Sequence, residues 1–104
     1  MMFGDIVLLP FPFTDLTGSK MRPALVLAVS HNDVIVAFFT SNLHLDDEFS
    51  IKLEPNEING LKLPSLLKLN KIATLEKSLV IGKLGEITDL SEIRTKLVKL
   101  FDLG

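Results

Sequence analysis

The chain contains no cysteine. Disulfides and thiolate metal sites are therefore excluded, which suits a reducing compartment. Histidine is scarce, with His31 and His44 the only two. No cluster of His, Cys, Asp or Glu has the spacing of a metal-ligand set. Tryptophan and tyrosine are absent, so seven phenylalanines carry all the aromatic surface. No stretch approaches the about 18 consecutive apolar residues that a membrane span needs. The opening MMFGDIVLLPFPF lacks a basic segment, and Pro10 and Pro12 break its apolar run. It does not read as a secretory signal, so a soluble chain acting in the cytoplasm is expected. Basic residues are not in excess: eleven Lys and Arg face thirteen Asp and Glu, a net charge of −2. Proteins that grip nucleic acid through its phosphates are mostly basic. Such a role here requires a local basic groove rather than a field over the whole molecule.

Apolar residues make up 47% of the 104 positions, a globular composition that predicts one domain over residues 1–104. There is no repeat and no low-complexity linker. Asp5–Leu9 reads as a first strand, ended by Pro10 and Pro12, which offer no N–H to a ladder. Residues 11–20 read as a loop with turn chemistry at Thr17-Gly18. Pro23–Val29 is a nearly continuous apolar run, the pattern of a buried strand. Ser30–Asp33 reads as a hairpin turn and Val34–Phe39 as the return strand. Residues 42–48 read as an exposed loop whose Asp46-Asp47-Glu48 run is a solvated face. Phe49–Leu53 alternates as a strand with one wet face, and residues 54–60 are a turn-rich connector. Pro64–Leu69 and Ser78–Leu84 read as further strands, and Lys71–Ala73 can continue the sheet between them. Asp89 is placed as a helix N-cap with Glu92 completing a capping box. Leu90, Ile93, Leu97, Leu100 and Phe101 form one apolar helix face, with Arg94, Lys96 and Lys99 opposite. The expected class is mostly β with a C-terminal helix, in a small twisted barrel.

Pairing of the two long apolar strands about their turn brings Arg22 close to Thr40 and Ser41 at one end of the sheet. Pro23 holds Arg22 extended, and a guanidinium presents a planar fork of donors suited to phosphate. Hydroxyls beside it are placed to bind a phosphodiester. Read from spacing alone, Arg22 is equally a solvated loop arginine, and Thr40 and Ser41 equally turn residues. Phe11 and Phe13 are loop aromatics that suit base stacking or anchoring in a core. Lys68, Lys71 and Lys77 suit a phosphate track or an ordinary charged surface. His31 falls in the hairpin turn, at the end away from Arg22, and His44 in the loop after Thr40; both read as surface residues. Phe38 and Phe39 are adjacent in a strand, so one is expected in the core and the other on an outer surface or a partner.

The block GDIVLLPFPFTDLTGSKMRPALVLAVS, Gly4–Ser30, resembles the opening of the MazF/PemK-type growth inhibitors. Those show a Gly-Asp/Glu strand, a Pro-containing loop, a small insertion with Gly, then Arg-Pro and an apolar strand. IVAFFTSN, Ile35–Asn42, resembles their second core strand, and residues 60–88 and the terminal helix follow in the same order. The resemblance implies an SH3-like barrel of the MazF/PemK/CcdB kind, a homodimer, and a cognate antitoxin covering the RNA groove. It also implies metal-independent cleavage of single-stranded RNA, with no cofactor, by attack of a ribose 2′-hydroxyl. On this resemblance Arg22 and Thr40 are the catalytic pair, and Ser41, Lys20, Phe13 and Lys71 bind substrate. Two departures stand out. Thr17-Gly18-Ser19-Lys20 replaces a Glu-Gln-type loop, and Lys71 stands where many members have Gln. No general base is evident. The competing expectation is a relative that does not cleave RNA, either an inactive toxin or a barrel that inhibits a protein such as a topoisomerase. Arg22 and Thr40 together in a locally basic groove favour the first reading; a buried or neutral mouth favours the second.

Overall fold

The computed structural model describes residues 1–11 and 20–104. Six strands, β1 (Asp5–Pro10), β2 (Met21–Val29), β3 (Asp33–Thr40), β4 (Ser50–Leu53), β5 (Ser65–Glu76) and β6 (Gly82–Glu86), precede helix α1 (Ser91–Phe101). They form one curled sheet in the order β4-β5-β3-β2-β1-β6, with every neighbouring pair antiparallel. Among the described residues no helix is long and apolar enough to cross a membrane.

The centre of the sheet is apolar on both faces, which explains the near-continuous runs in β2 and β3. One face carries Ile6, Leu25, Ala37, Phe39, Leu67 and Leu69, joined by Leu61 from the β4–β5 connector and Ile93 from α1. The other carries Val7, Leu9, Ala24, Val26, Val34, Val36 and Phe38. Phe38 and Phe39 thus point to opposite faces as expected, but both are buried, in two separate clusters. The outer surface expected for one of them is itself a core.

Strand ends shift by a residue or two from the sequence reading throughout, and β5 and β6 differ most. β5 is a single strand of twelve residues. Its first half pairs with β4, from Ser65↔Leu53 to Lys68↔Ser50, and its second half pairs with β3 from Ile72↔Ala37 to Glu76↔Asp33. The polar residues Asn70 and Lys71, which interrupt the apolar pattern, lie where the β3–β5 register shifts. The strand bends there rather than stopping. β6 begins at Gly82 and not at Ser78, because Lys77–Leu79 forms a 3-10 turn in which Val80 N–H donates to Lys77 C=O. That turn brings the chain back to β1, where Ile81 N–H donates to Leu8 C=O.

Helix α1 starts at Ser91, with Leu90 in the N-cap position. Asp89 still caps the first turn, its carboxylate accepting from the Ser91 amide at 3.1 Å and the Ser91 hydroxyl at 2.7 Å. These bonds hold its pKa below the ordinary carboxylate value. The reciprocal bond expected from Glu92 is not formed; the Ser91 hydroxyl serves the carboxylate instead. The cationic face of α1 is not merely solvated. Arg94 stacks on Phe3, Lys96 donates to Glu48 C=O at 2.7 Å, and Lys99 pairs with the Glu48 carboxylate at 3.3 Å.

The barrel is closed by the connector between β4 and β5, not by strand pairing of β4 with β6. Glu86 N–H donates to Ile58 C=O at 2.9 Å. The connector keeps its shape through buried Asn59, whose side chain accepts from Asn56 and Leu61 amides and donates to Glu54 C=O. Gly60, at φ +69°, and Gly85 are the points of closest approach. A Cβ on Gly85 would lie 2.3 Å from Ile58 O, with no flexible side chain there to yield. Gly85→Ala is therefore expected to destabilise the protein by roughly 1–3 kcal/mol, the usual cost of overpacking. Urea unfolding of the two proteins checks this; equal midpoints and slopes would show that the seam is not under this constraint.

Candidate active site

The site is assembled by strand register. β2 pairs with β1 through Leu9↔Arg22 and with β3 through Ala24↔Phe38. Extending the second ladder by two residues places Arg22 beside Thr40, which pairs on its other side with Leu66. The Arg22 guanidinium carbon lies 4.6 Å from the centre of the Phe11 ring. Phe11 in turn meets Phe38 edge-on, with centroids 5.0 Å apart. Half-buried Phe11, backed by buried Phe38, therefore forms an aromatic platform under the cation. Arg22 Nε is buried and has no hydrogen-bond partner among the described residues. Leaving such a donor unpaired costs on the order of 1–3 kcal/mol, a cost that an anionic oxygen in the cleft would remove.

Thr40 sits at the end of β3, and its Oγ1 accepts the Asn42 amide at 3.1 Å. That bond uses an oxygen lone pair and leaves the hydroxyl hydrogen to donate. Arg22, Phe39, Thr40 and Ser41 form a shared wall between two clefts. One, of about 300 Å³, is largely apolar and is bounded by Leu8, Pro23, Leu61, Leu63 and Leu84. The other, of about 470 Å³, is bounded by Phe11, Phe38, Asn42, Leu45, Lys68 and Lys71. No Asp or Glu lines either cleft among the described residues. The mouth is thus locally cationic in a chain of net charge −2.

Comparison with known proteins now bears on this geometry. A model of the PemK-like, MazF-like toxins of type II toxin-antitoxin systems matches residues 2–101. The chain belongs to this family. Among solved structures, the Mycobacterium tuberculosis toxin MazF-mt6 is 19% identical, with a TM-score of 0.74 over 94% of this chain and 96% of that one. A mycobacterial endoribonuclease in complex with its cognate antitoxin is also 19% identical, with a TM-score of 0.77 over 100% of this chain and 97% of that one. At that identity the likeness establishes the MazF-type fold. No curated protein matches.

Of the MazF-type site residues expected from sequence, the fold brings Arg22, Thr40 and Ser41 together and adds Lys71 in the larger cleft. Lys20 is exposed just before β2, where its carbonyl accepts the Phe11 amide at 3.0 Å, and it lines neither cleft. Phe13 lies outside the described residues. Lys77 belongs to no phosphate track. It lies at the opposite end of the sheet beside His31 and Asn32, because β3 and β5 run its full length. His44 is exposed in a 3-10 turn, Leu43–Leu45. Among the described residues no three His, Cys, Asp or Glu side chains converge on a common point.

Lys68 departs most from its sequence reading. It is buried, and its ammonium donates to Leu45 C=O, to Asp47 Oδ2 at 2.7 Å and to Ser50 Oγ at 2.9 Å. All three donors are used, so Lys68 is not free to track phosphates. Asp46, Asp47 and Glu48 are exposed, as expected of a solvated acidic run, but Asp47 also pairs with Lys68 and Glu48 with Lys99 on α1. A signal was present: Lys68 interrupts the run Leu66-Leu67-Lys68-Leu69, and a lysine inside an apolar strand is almost never buried without a partner.

The Lys68 ammonium, chiefly, holds the Asp47 carboxyl down at about 2, below its ordinary value of 3.8. Its folded pKa lies below its unfolded one, so the unfolded chain takes the proton first. The stabilisation is full above the unfolded value and is lost as pH falls from about 4 toward about 2. The stability difference between wild type and Asp47→Asn should accordingly shrink across that interval. Unfolding curves at stepped pH measure it; a difference constant from pH 5 to the acid limit would contradict the assignment.

Proposed function

We propose that this chain is the RNA-cleaving toxin of a type II toxin-antitoxin pair, a metal-independent endoribonuclease acting on single-stranded RNA in the cytoplasm. The observation that carries this reading is the Arg22 Nε beside Thr40, buried and unpartnered among the described residues, on the wall between two clefts that no described carboxylate lines. Attack of a ribose 2′-hydroxyl on the adjacent phosphorus forms a P–O2′ bond and breaks the P–O5′ bond, the 2′-hydroxyl proton passing to solvent and a solvent proton to the departing 5′-oxygen. Negative charge builds on the non-bridging oxygens as it does so. A permanently charged guanidinium fixed on the Phe11 ring is preorganised to meet that charge. The Thr40 hydroxyl donates to a phosphate oxygen and orients the group for in-line attack. Ser41 and Lys71 hold the neighbouring backbone from the larger cleft, and Lys20 binds the strand outside the two clefts. The products are a 2′,3′-cyclic phosphate and a free 5′-hydroxyl. DNA, lacking the nucleophile, is left intact.

The antitoxin-bound mycobacterial neighbour supports a further part of the reading, a cognate antitoxin that blocks the clefts; a homodimer completes the proposal.

Incubation of the protein with a long single-stranded RNA in excess chelator tests the proposal. Discrete fragments should appear. Arg22→Ala and Thr40→Ala should each lower kcat/KM by roughly 10²–10³, the loss seen when a preorganised transition-state donor is removed. Arg22→Lys should recover little, because a single ammonium does not reproduce the planar fork. Intact RNA with folded wild type would overturn the ribonuclease reading, and full activity of either alanine variant would overturn that residue's role.

A further inference from the structure

Lys68 is a buried cation that the proposed reaction does not use directly. It stands on β5, at the wall of the larger cleft, and all three of its donors are committed to protein acceptors. Its partners are not scattered. Leu45 ends the 3-10 turn after β3, Asp47 follows that turn, and Ser50 opens β4. One ammonium therefore fastens the whole segment from β3 to β4 against β5.

One hydrogen bond joins that segment to the Thr40 hydroxyl. The N-cap of its 3-10 turn is Asn42, whose side chain accepts the His44 amide at 3.1 Å and whose own amide donates to Thr40 Oγ1 at 3.1 Å. The orientation of the Thr40 hydroxyl thus depends on where Asn42 sits, and Asn42 is fixed by a turn whose end Lys68 grips. A short turn on an exposed loop has little stability of its own. A buried ammonium with three acceptors in reach of its carbonyl and flanking carboxylate supplies the anchor.

We infer that Lys68 is a positioning residue for Thr40: its ammonium clamps the 42–47 segment so that the Asn42 amide holds the Thr40 hydroxyl aimed into the cleft. The inference rests on the proposed ribonuclease reading for its catalytic consequence, but the clamp itself has an independent readout. A side chain that merely bound phosphate would act on KM. A clamp on Thr40 acts on kcat, since ground-state binding through Arg22 and Lys71 is left in place.

The test compares Lys68→Met, Lys68→Arg, Asn42→Ala and Asn42→Pro with wild type. It reads kcat and KM on single-stranded RNA and the hydrogen-exchange rate of the Asn42 amide. Lys68→Met should lower kcat by roughly ten- to a hundredfold, the penalty for a misplacement of about 1 Å, with KM within about twofold. Its Asn42 amide should exchange faster than in wild type. Lys68→Arg, which keeps a cation and several donors, should recover part of kcat. Asn42 has φ −79°, which suits proline, so Asn42→Pro deletes the N–H without forcing φ. It should cost clearly more kcat than Asn42→Ala, which keeps the N–H and loses only the bond to His44.

A loss confined to KM in Lys68→Met would make Lys68 a phosphate ligand and overturn the inference, as would an unchanged kcat. If Lys68→Met does not fold, the Asn42 pair decides, and equal kcat for alanine and proline overturns it. If wild type does not cut RNA, the ribonuclease reading fails by itself. The Asn42 amide then still decides the clamp: faster exchange in Lys68→Met supports it, and unchanged exchange overturns it.

Discussion

The ladder between β2 and β3 is the constraint on which the rest depends. It is the centre of the sheet, buried on both faces, with Val26, Val34 and Val36 on one side and Leu25, Ala37 and Phe39 on the other. A slip of one residue would exchange these two sets and expose neither to water, yet it would separate Arg22 from Thr40. The register is held by the flanking pairs, Leu9↔Arg22 on β1 and Thr40↔Leu66 on β5. Core packing and site geometry are thus one problem for this chain. The apolar runs that stabilise the sheet also set the spacing of the polar groups at its end.

Charge is organised locally rather than globally. Thirteen acidic residues outnumber eleven basic ones, yet among the described residues several acidic side chains are committed to lysine partners. Asp5 pairs with Lys83 and accepts the Met2 amide, tying the start of the chain to β6. Asp47 faces Lys68 and Glu48 faces Lys99. Arg22 and Lys71 line a cleft that carboxylates do not line among the described residues. Exposed pairs such as Glu48–Lys99 contribute little stability, typically about 0–1 kcal/mol. Their effect here is on placement: they dock α1 against the acidic segment.

The fold was largely legible because its signal is periodic. The two long apolar strands, the turn at Ser30–Asp33 and the amphipathic helix all read directly from hydrophobic spacing. The pairing of Arg22 with Thr40 followed from the equal lengths of those strands about their turn. What did not read were features set by tertiary contact. β5 continues through Asn70 and Lys71 because β3 pairs with it across a register shift. The 3-10 turn at Lys77–Leu79 looks like strand, since Leu79, Val80 and Ile81 are all apolar. The seam at Gly60 and Gly85 is a contact between residues 25 positions apart, visible only once both are in place. Lys68 carried a clue in its apolar neighbours, but its partners at Leu45, Asp47 and Ser50 belong to a loop whose path no local pattern specifies.

The central claim is that Arg22 and Thr40 stabilise attack by a ribose 2′-hydroxyl. The most direct measurement uses a short single-stranded RNA that the protein cuts at one defined bond, and a copy methylated only on the 2′-oxygen before that bond. The account predicts complete cutting of the first, with a 2′,3′-cyclic phosphate on the upstream fragment, and no cutting of the second at that bond. Cutting of the methylated strand there, or a 3′-hydroxyl on the upstream product, would mean that water or another nucleophile attacks, and would contradict the account.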